Sequence, residues 1–190
     1  QPENGQSTVS EFETLRTVCP ALAASGIAAE AAAEAESSEA LEHLKRFTDG
    51  IVSTILAFEG LSPSDDYATR LNVLKSRAGL PETIAPFLIA LRRPAMGPDG
   101  NGEEPATRVQ TNLRLARRIA KWFAGSYQSR LPATLSDETD IANVVASLRQ
   151  SPVPEATRRS ARGAAKRAAS RMVLTEAETR LLIDRQLNAV

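Results

Sequence analysis

The chain has 190 residues, with 23 Lys and Arg against 23 Asp and Glu, so its formal net charge is zero. This balance excludes a polybasic protein that wraps nucleic acid over its whole surface, although it leaves room for a local basic patch. The only cysteine is Cys19 and the only histidine is His43. A disulfide within the chain and a thiolate metal cluster are therefore excluded, and any zinc site or catalytic triad would depend on one imidazole. We expect no catalytic residue, metal or cofactor in this stretch of sequence.

No apolar run approaches the roughly 20 residues that a membrane-spanning helix needs. The beginning of the chain, residues 1–8, is polar and does not have the pattern of a signal peptide. These two observations favour a cytoplasmic protein that makes no contact with a membrane.

Hydrophobic residues recur at three- and four-residue steps along almost the whole chain, which is typical of amphipathic helices. The clearest element runs from Ser38 to Glu59, with Ser37 and Ser38 as candidate caps and Gly60 and Pro63 placed to end it. Its apolar stripe consists of Leu41, Leu44, Phe47, Ile51, Val52, Ile55 and Leu56. The sequence therefore predicts an all-α fold with this helix in its core.

Shorter helices are predicted on either side of this core helix. Two precede it, over Glu11–Val18 and over the alanine-rich segment Ala21–Ala35, in which a break is expected near Ser25-Gly26. A third begins at Asp65 and Asp66 and ends at Gly79.

The next predicted helix has Pro81 at a first-turn position and tolerates Pro86 within its first turns. Its apolar residues are Ile84, Phe87, Leu88 and Leu91. Residues 94–105, which hold three prolines and three glycines, are predicted to form a loop. A second long helix is predicted over Ala106–Gln128.

The second long helix is followed by a weaker one, predicted to begin at Ser136 and to run through Leu148. The Ser151–Pro154 stretch is the best domain boundary. Beyond it, Thr175 and Glu178 form the capping box of a last helix. The chain is therefore divided into a helical bundle domain (1–150), a basic linker or helical arm (151–172) and a final segment (173–190).

The zero net charge hides an uneven distribution. Residues 1–66 carry 12 acidic and 3 basic side chains, whereas residues 155–172 carry one acidic and six basic side chains. The candidate nucleic-acid-binding residues of this arm are Arg158, Arg159, Arg162, Lys166 and Arg167. Such a cluster gains affinity for phosphates through counterion release. The alternative is a solvated connecting helix whose arginines pair with the acidic first third of the chain.

A second basic stripe lies in the predicted helix Ala106–Gln128, mostly away from its apolar side. It consists of Arg114, Arg117, Arg118 and Lys121. Contact with DNA is one interpretation of this stripe, and an ordinary solvated helix face is the other. Trp122 and Phe123 are interpreted as core or interface residues, whereas Tyr67 and Tyr127 offer hydroxyl groups for which no partner base can be named.

Two stretches resemble a known family. From Glu11 to Tyr127 the chain resembles the helical domain at the N-terminus of type I restriction endonuclease motor (R) subunits and related helicases. The matching residues are Phe12-Glu-Thr-Leu15, Leu41-Glu-His-Leu-Lys-Arg-Phe47, Leu71, Leu74, Leu80-Pro81, Leu91-Arg-Arg93, Ala116 and Trp122-Phe123. Residues 174–190, LTEAETRLLIDRQLNAV, are similar to the helix that leads into the nuclease domain of such subunits.

The resemblance implies a HEPN-like up-and-down helical bundle with a basic helical arm at its C-terminal end. It also implies a parent protein that is an ATP-dependent restriction endonuclease acting in phage defence, with its nuclease metal ligands and helicase motifs downstream of Val190. DNA, the downstream domains and other restriction-modification subunits are the implied partners. HEPN-like domains also often form homodimers.

One departure from the HEPN pattern bears on function. Active ribonucleases of this superfamily place a histidine a few residues after an arginine. Here Arg92 and Arg93 are present and Gly100-Asn101 is similar to the family's Gly-Asn, but no histidine occurs between Pro94 and Thr107. The acid–base group that such cleavage needs is therefore missing.

The leading hypothesis is a non-catalytic helical module that contacts DNA or docks partner domains. A HEPN-type ribonuclease or toxin is the second hypothesis, and it requires His43 to approach Arg92 and Arg93 in space. On its own helix His43 has no second metal ligand at a suitable spacing, so we interpret it as structural or solvated. A dimerisation bundle with an exposed apolar face on Ala106–Gln128 is the third hypothesis.

Overall fold

The computed structural model describes residues 10–35, 39–92, 105–172 and 174–187. Within these ranges the chain forms eight α-helices and no β-strand, so the predicted all-α fold is confirmed. The helices are α1 (Pro20–Glu34), α2 (Glu39–Phe58), α3 (Tyr67–Arg77), α4 (Ala85–Arg92), α5 (Pro105–Tyr127), α6 (Ile141–Gln150), α7 (Glu155–Ser170) and α8 (Glu176–Leu187). Two 3₁₀ turns, Glu11–Leu15 and Ala133–Leu135, complete the regular structure of the described part. None of these helices combines the length and the apolar character needed to cross a membrane.

The core is built around α2, as its apolar stripe predicted. α1 packs along α2, and α3, α4, α5 and α6 also contact it. Of the predicted stripe, Leu41 is half-buried and the other residues are buried. The helix ends where the sequence places Gly60, whose φ of 69° lies in the left-handed region that favours glycine. Gly79, with a φ of 63°, ends α3 in the same way.

α1 is continuous through Ser25 and Gly26, so the predicted break is wrong. A Cβ atom on Gly26 would lie 2.2 Å from Cδ1 of Phe12, whose ring is fully buried and packs edge-to-face against Phe47. Gly26 is therefore present because the ring of Phe12 occupies the space of a side chain. The packing of α1 against the core offsets the low helix propensity of glycine.

The predicted helix Glu11–Val18 is reduced to the 3₁₀ turn Glu11–Leu15. The cause lies at Pro20, which opens α1 at a first-turn position. A residue that precedes proline is disfavoured in the α region, and Cys19 is accordingly extended, with φ −155° and ψ 90°. The chain therefore turns before α1 begins.

Two further helix starts lie later than predicted. α4 begins at Ala85, so Pro86 occupies its first turn, where a missing N–H breaks no hydrogen bond. Pro81 lies in the preceding turn, where its carbonyl accepts a hydrogen bond from the Ile84 N–H at 2.9 Å. α6 begins at Ile141 and not at Ser136.

The start of α6 is determined by a cap that the sequence analysis overlooked. The Asp140 carboxylate accepts a hydrogen bond from the Ala142 N–H at 2.9 Å. Ser136 instead follows the 3₁₀ turn Ala133–Leu135. The predicted caps Ser37 and Ser38, and the predicted loop 94–105 except for Pro105, lie outside the described residues.

Candidate nucleic-acid interface

The predicted basic arm forms α7, which packs against α5. Its buried face consists of small side chains, Ala161, Ala164, Ala165 and Ala169, which let the two helices approach closely. The indole N–H of Trp122 donates a hydrogen bond to the Ala165 carbonyl at 3.1 Å. Beyond the end of α5, Arg130 Nε donates to Ser160 Oγ at 3.1 Å, so the two helices run in opposite directions.

A buried carboxylate fixes the first half of α7. The Glu59 side chain, just after α2, is only 1% exposed and accepts a hydrogen bond from Arg162 Nε at 3.0 Å, with a second, closer one from Nη2. Burial raises the pKa of the Glu59 carboxyl above its ordinary value, and Arg162 acts against this rise. Arg158 Nη1 donates to the Glu59 carbonyl at 2.7 Å. Two arginines of α7 thus hold it to the end of α2.

Arg158 and Arg162 are therefore half-buried against the end of α2, and the pair of Arg162 with Glu59 is of the kind that the alternative interpretation of the basic arm predicted. Both also pair with Glu155 of α7, at 3.0 and 3.3 Å. The remaining three predicted residues of the arm are exposed. These are Arg159, Lys166 and Arg167.

The basic stripe on α5 divides in the same way. Arg117 pairs with Glu30 of α1 at 2.8 Å, and Arg118 pairs with Glu178 of α8 at 3.1 Å. Arg114 and Lys121 are exposed. Hence carboxylates from α1 and α8 partly neutralise the charges of Arg117 and Arg118, whereas Arg114 and Lys121 face solvent.

We use the name basic surface for the exposed basic side chains of these two neighbouring helices. It consists of Arg114 and Lys121 of α5 and Arg159, Lys166 and Arg167 of α7. In the part of the chain that the structure describes, no carboxylate lies within ion-pair distance of these five. Residues 105–127 contain five basic residues and no acidic one, so α5 itself is positively charged.

The aromatic residues take no part in this surface. Seven of the eight aromatic side chains are buried and the eighth, Tyr67, is half-buried. Tyr127 is packed against the rings of Phe58, Trp122 and Phe123, and burial raises the pKa of its hydroxyl. Stacking of bases on exposed rings is thus not available at the basic surface.

Sequence reasoning missed a polar cluster between α2, α3 and α4. Arg92 Nε lies 3.2 Å from Asp49 Oδ1, and Arg70 Nη2 lies 3.6 Å from the same atom. Both guanidinium groups also lie over the Tyr67 ring, that of Arg92 at 5.0 Å from the ring centre and that of Arg70 at 5.3 Å. The Tyr67 hydroxyl donates to the Leu88 carbonyl at 3.1 Å, and burial raises its pKa. The only signal in the sequence was a charged residue, Asp49, within an otherwise apolar stretch of α2.

This cluster bears on the ribonuclease hypothesis. Arg92 is engaged by Asp49, which lies six residues after His43 on α2. That separation corresponds to about 9 Å along the helix and to a different side of it. The structure thus brings Arg92 together with Asp49, and Arg93 lies outside the described residues.

His43 is half-exposed, and Cys19 is buried, which raises the pKa of its thiol. Among the described residues, no group of three or more His, Cys, Asp and Glu side chains is arranged to hold a metal ion.

A comparison of the chain with protein-family models, with curated proteins and with solved structures gives no match. The resemblance to the helical domain of restriction endonuclease subunits therefore stays a prediction, supported by the residues that carry it.

Proposed function

We propose that this chain is a non-catalytic helical module that contacts nucleic acid through the basic surface. The observation that carries the proposal is the division of the arginines and lysines on α5 and α7. Some of them pair with carboxylates and hold the bundle together, whereas the five of the basic surface project into solvent. Exposed cations that have no internal partner are the groups that phosphates attract, with release of counterions.

The same surface favours contact with the backbone of the nucleic acid over reading of its bases. Exposed arginine and lysine side chains on two packed helices can contact phosphates without entering a groove, and such contacts carry no sequence information. Single-strand binding typically adds stacking on exposed aromatic rings, and these rings are in the core here. Duplex DNA bound without sequence preference is the ligand that this chemistry fits.

The family resemblance supports a place for this module within a larger enzyme. We propose that the parent protein is a type I restriction endonuclease-like enzyme or a related helicase, in which the module also docks neighbouring domains. The reading frame beyond Val190 tests this part of the proposal: nuclease and helicase motifs are expected there, and their absence would overturn it.

The dimerisation alternative gains no support from α5. Its apolar side is covered within the chain, because Leu113, Ile119 and Phe123 are buried. Among the described residues, the large apolar side chains that remain exposed are Ile89 on α4 and Ile183 on α8. Isolated exposed residues of this kind are ordinary on a protein surface.

A pair of charge reversals tests the nucleic-acid contact. The Lys166→Glu/Arg167→Glu variant removes two cations from the basic surface, and it is expected to bind a DNA duplex at least about tenfold more weakly at low salt. Its plot of log affinity against log salt should be less steep by about two, because two phosphate contacts are lost. Fluorescence anisotropy with a labelled duplex measures both quantities.

The chain offers a closely matched control in α2. Lys45 and Arg46 are also an adjacent, exposed Lys-Arg pair within a helix. Lys45→Glu/Arg46→Glu therefore changes the net charge by the same amount at a different place. We expect this control to keep the salt dependence of the unaltered protein. Equal losses of DNA affinity in the two variants would show that binding depends only on the net charge of the protein. That result would refute a defined interface.

A further inference from the structure

The polar cluster between α2, α3 and α4 carries more positive than negative charge. Among the described residues, Asp49 is the one carboxylate within ion-pair distance of Arg70 and Arg92. Both guanidinium groups approach the same oxygen of this carboxylate, one from α3 and the other from α4. Two positive charges beside one negative charge also repel each other. The cluster therefore keeps a positive charge that its own ion pairs do not balance.

The hydrogen-bonding groups of this cluster are incompletely used as well. Asp49 Oδ1 and the Nε atoms of Arg70 and Arg92 are buried and have no hydrogen-bond partner within the described ranges. Arg70 Nη1 reaches Ser53 Oγ only at a long distance, 3.4 Å. A guanidinium group has five N–H donors, and buried donors nearly always find an acceptor. The two arginines thus have more donors than the cluster has acceptors.

The Tyr67 ring stabilises the excess positive charge, but it does not supply the missing acceptors. The face of an aromatic ring attracts a cation such as the guanidinium of Arg70 or Arg92. Its hydroxyl oxygen is directed to the Leu88 carbonyl, to which it donates at 3.1 Å. The ring therefore holds both guanidinium groups beside Asp49 and leaves their remaining donors for another acceptor.

The cluster is partly open to solvent and is built on packed helices. The side chain of Arg92 is 25% exposed, that of Asp49 32% and that of Arg70 13%. α3 and α4 both contact α2, so the three side chains are held in position before any ligand arrives. Side chains of such low exposure are within reach of a small anion, whereas the backbone of a duplex needs cations that project from the surface.

We propose that Arg70 and Arg92 form a binding site for a phosphate group, either as free phosphate or as the phosphomonoester of a small molecule. A phosphate group offers several strong acceptor oxygens and a charge close to −2, which suits two guanidinium groups that share one carboxylate. Asp49 holds the two arginines together and limits the affinity through its own charge. This site is separate from the basic surface, so it does not depend on contact with nucleic acid.

A titration with inorganic phosphate tests the site. Isothermal titration calorimetry at constant ionic strength, with chloride as the reference anion, is expected to give a dissociation constant of about 1 mM or tighter. Arg92→Gln should weaken phosphate binding at least about tenfold, because a charge-assisted pair is lost. Arg77→Gln is the matched control, since Arg77 is also the last residue of its helix and is exposed. The control should leave the dissociation constant unchanged.

Asp49→Asn distinguishes a binding site from a purely structural ion-pair network. Asparagine has nearly the same shape as aspartate but removes the negative charge that competes with the ligand, so phosphate should bind about three- to tenfold more tightly. A network that only stabilises the fold would lose stability in this variant and gain no affinity for phosphate. Absence of phosphate binding by the unaltered protein, or equal affinity in the unaltered protein, Arg92→Gln and Asp49→Asn, would overturn the proposal.

Two further titrations identify the source of the phosphate group and its location. Adenosine 5′-monophosphate that binds more tightly than inorganic phosphate would support a phosphomonoester ligand, and the reverse order would support free phosphate. The Lys166→Glu/Arg167→Glu variant should keep the phosphate affinity of the unaltered protein, because its changes lie on the basic surface. Loss of phosphate binding in that variant would place the anion on α7 and refute a site at Arg70 and Arg92.

Discussion

Replacement of Trp122 with Ala is expected to lower the free energy of unfolding by about 4 kcal/mol. The indole is only 2% exposed and lies where α5 meets α7, edge-on to the Tyr127 ring. Its N–H also donates to the Ala165 carbonyl of α7 at 3.1 Å. The substitution thus leaves a cavity between two helices and removes a polar link across it. Chemical denaturation followed by circular dichroism measures the loss.

Trp122→Phe separates the volume of the ring from its hydrogen bond. Phenylalanine retains most of the apolar contact but has no N–H, so the expected loss is about 1–2 kcal/mol. Equal losses for Trp122→Ala and Trp122→Phe would contradict the view that the bulk of the indole fills the space between α5 and α7.

Arg162→Ala is expected to destabilise the protein by about 3 kcal/mol at neutral pH. The Glu59 carboxylate is 1% exposed, and two nitrogen atoms of Arg162 donate hydrogen bonds to its Oε2 atom. Without them a buried negative charge is left beside Tyr127, whose hydroxyl it already perturbs. Arg159→Ala is the control, because Arg159 lies three residues earlier on the same helix and is exposed. The control should change the free energy of unfolding by no more than about 0.5 kcal/mol.

The effect of Arg162→Ala should depend on pH in a defined direction. Burial raises the pKa of Glu59, and the variant removes the guanidinium that acts against the rise. When the pKa of a carboxyl is higher in the folded state than in the unfolded state, its contribution to stability is fully present at pH values below the unfolded-state pKa. This contribution is lost as the pH rises through the folded-state pKa. The deficit of the variant should therefore be small near pH 4 and grow toward pH 7. A deficit that does not vary with pH would show that the Glu59 charge is not its cause.

The sequence predicted those elements of the fold whose causes are local. α2 and α5 follow from an apolar stripe that persists over several turns, and Gly60 and Gly79 end helices because they supply positive φ at no steric cost. The break predicted at Gly26 was wrong because the cause of this glycine is not local. A side chain at position 26 would collide with the ring of Phe12, and helix propensity contains no information on such a tertiary contact.

The candidate site was predictable only as a set of positions. Helical spacing placed the basic residues of α5 and α7 on their helices, but it did not show which of them face solvent. Arg162 meets Glu59 across 103 residues and Arg117 meets Glu30 across 87. Such pairs depend on how the helices pack together, and charge counts along the chain contain no information on that. The division into inward arginines and an exposed basic surface therefore required the structure.

The salt dependence of DNA binding by the unaltered chain tests the central claim most directly. The measurement is a titration of a labelled duplex of about 20 base pairs at a series of salt concentrations, with log affinity plotted against log salt. Each phosphate contact contributes about −0.9 to the slope, so engagement of most of the five residues of the basic surface predicts a slope between roughly −3 and −5. Absence of binding at about 20 mM salt, or an affinity that does not change with salt, would contradict a phosphate-contacting function for α5 and α7.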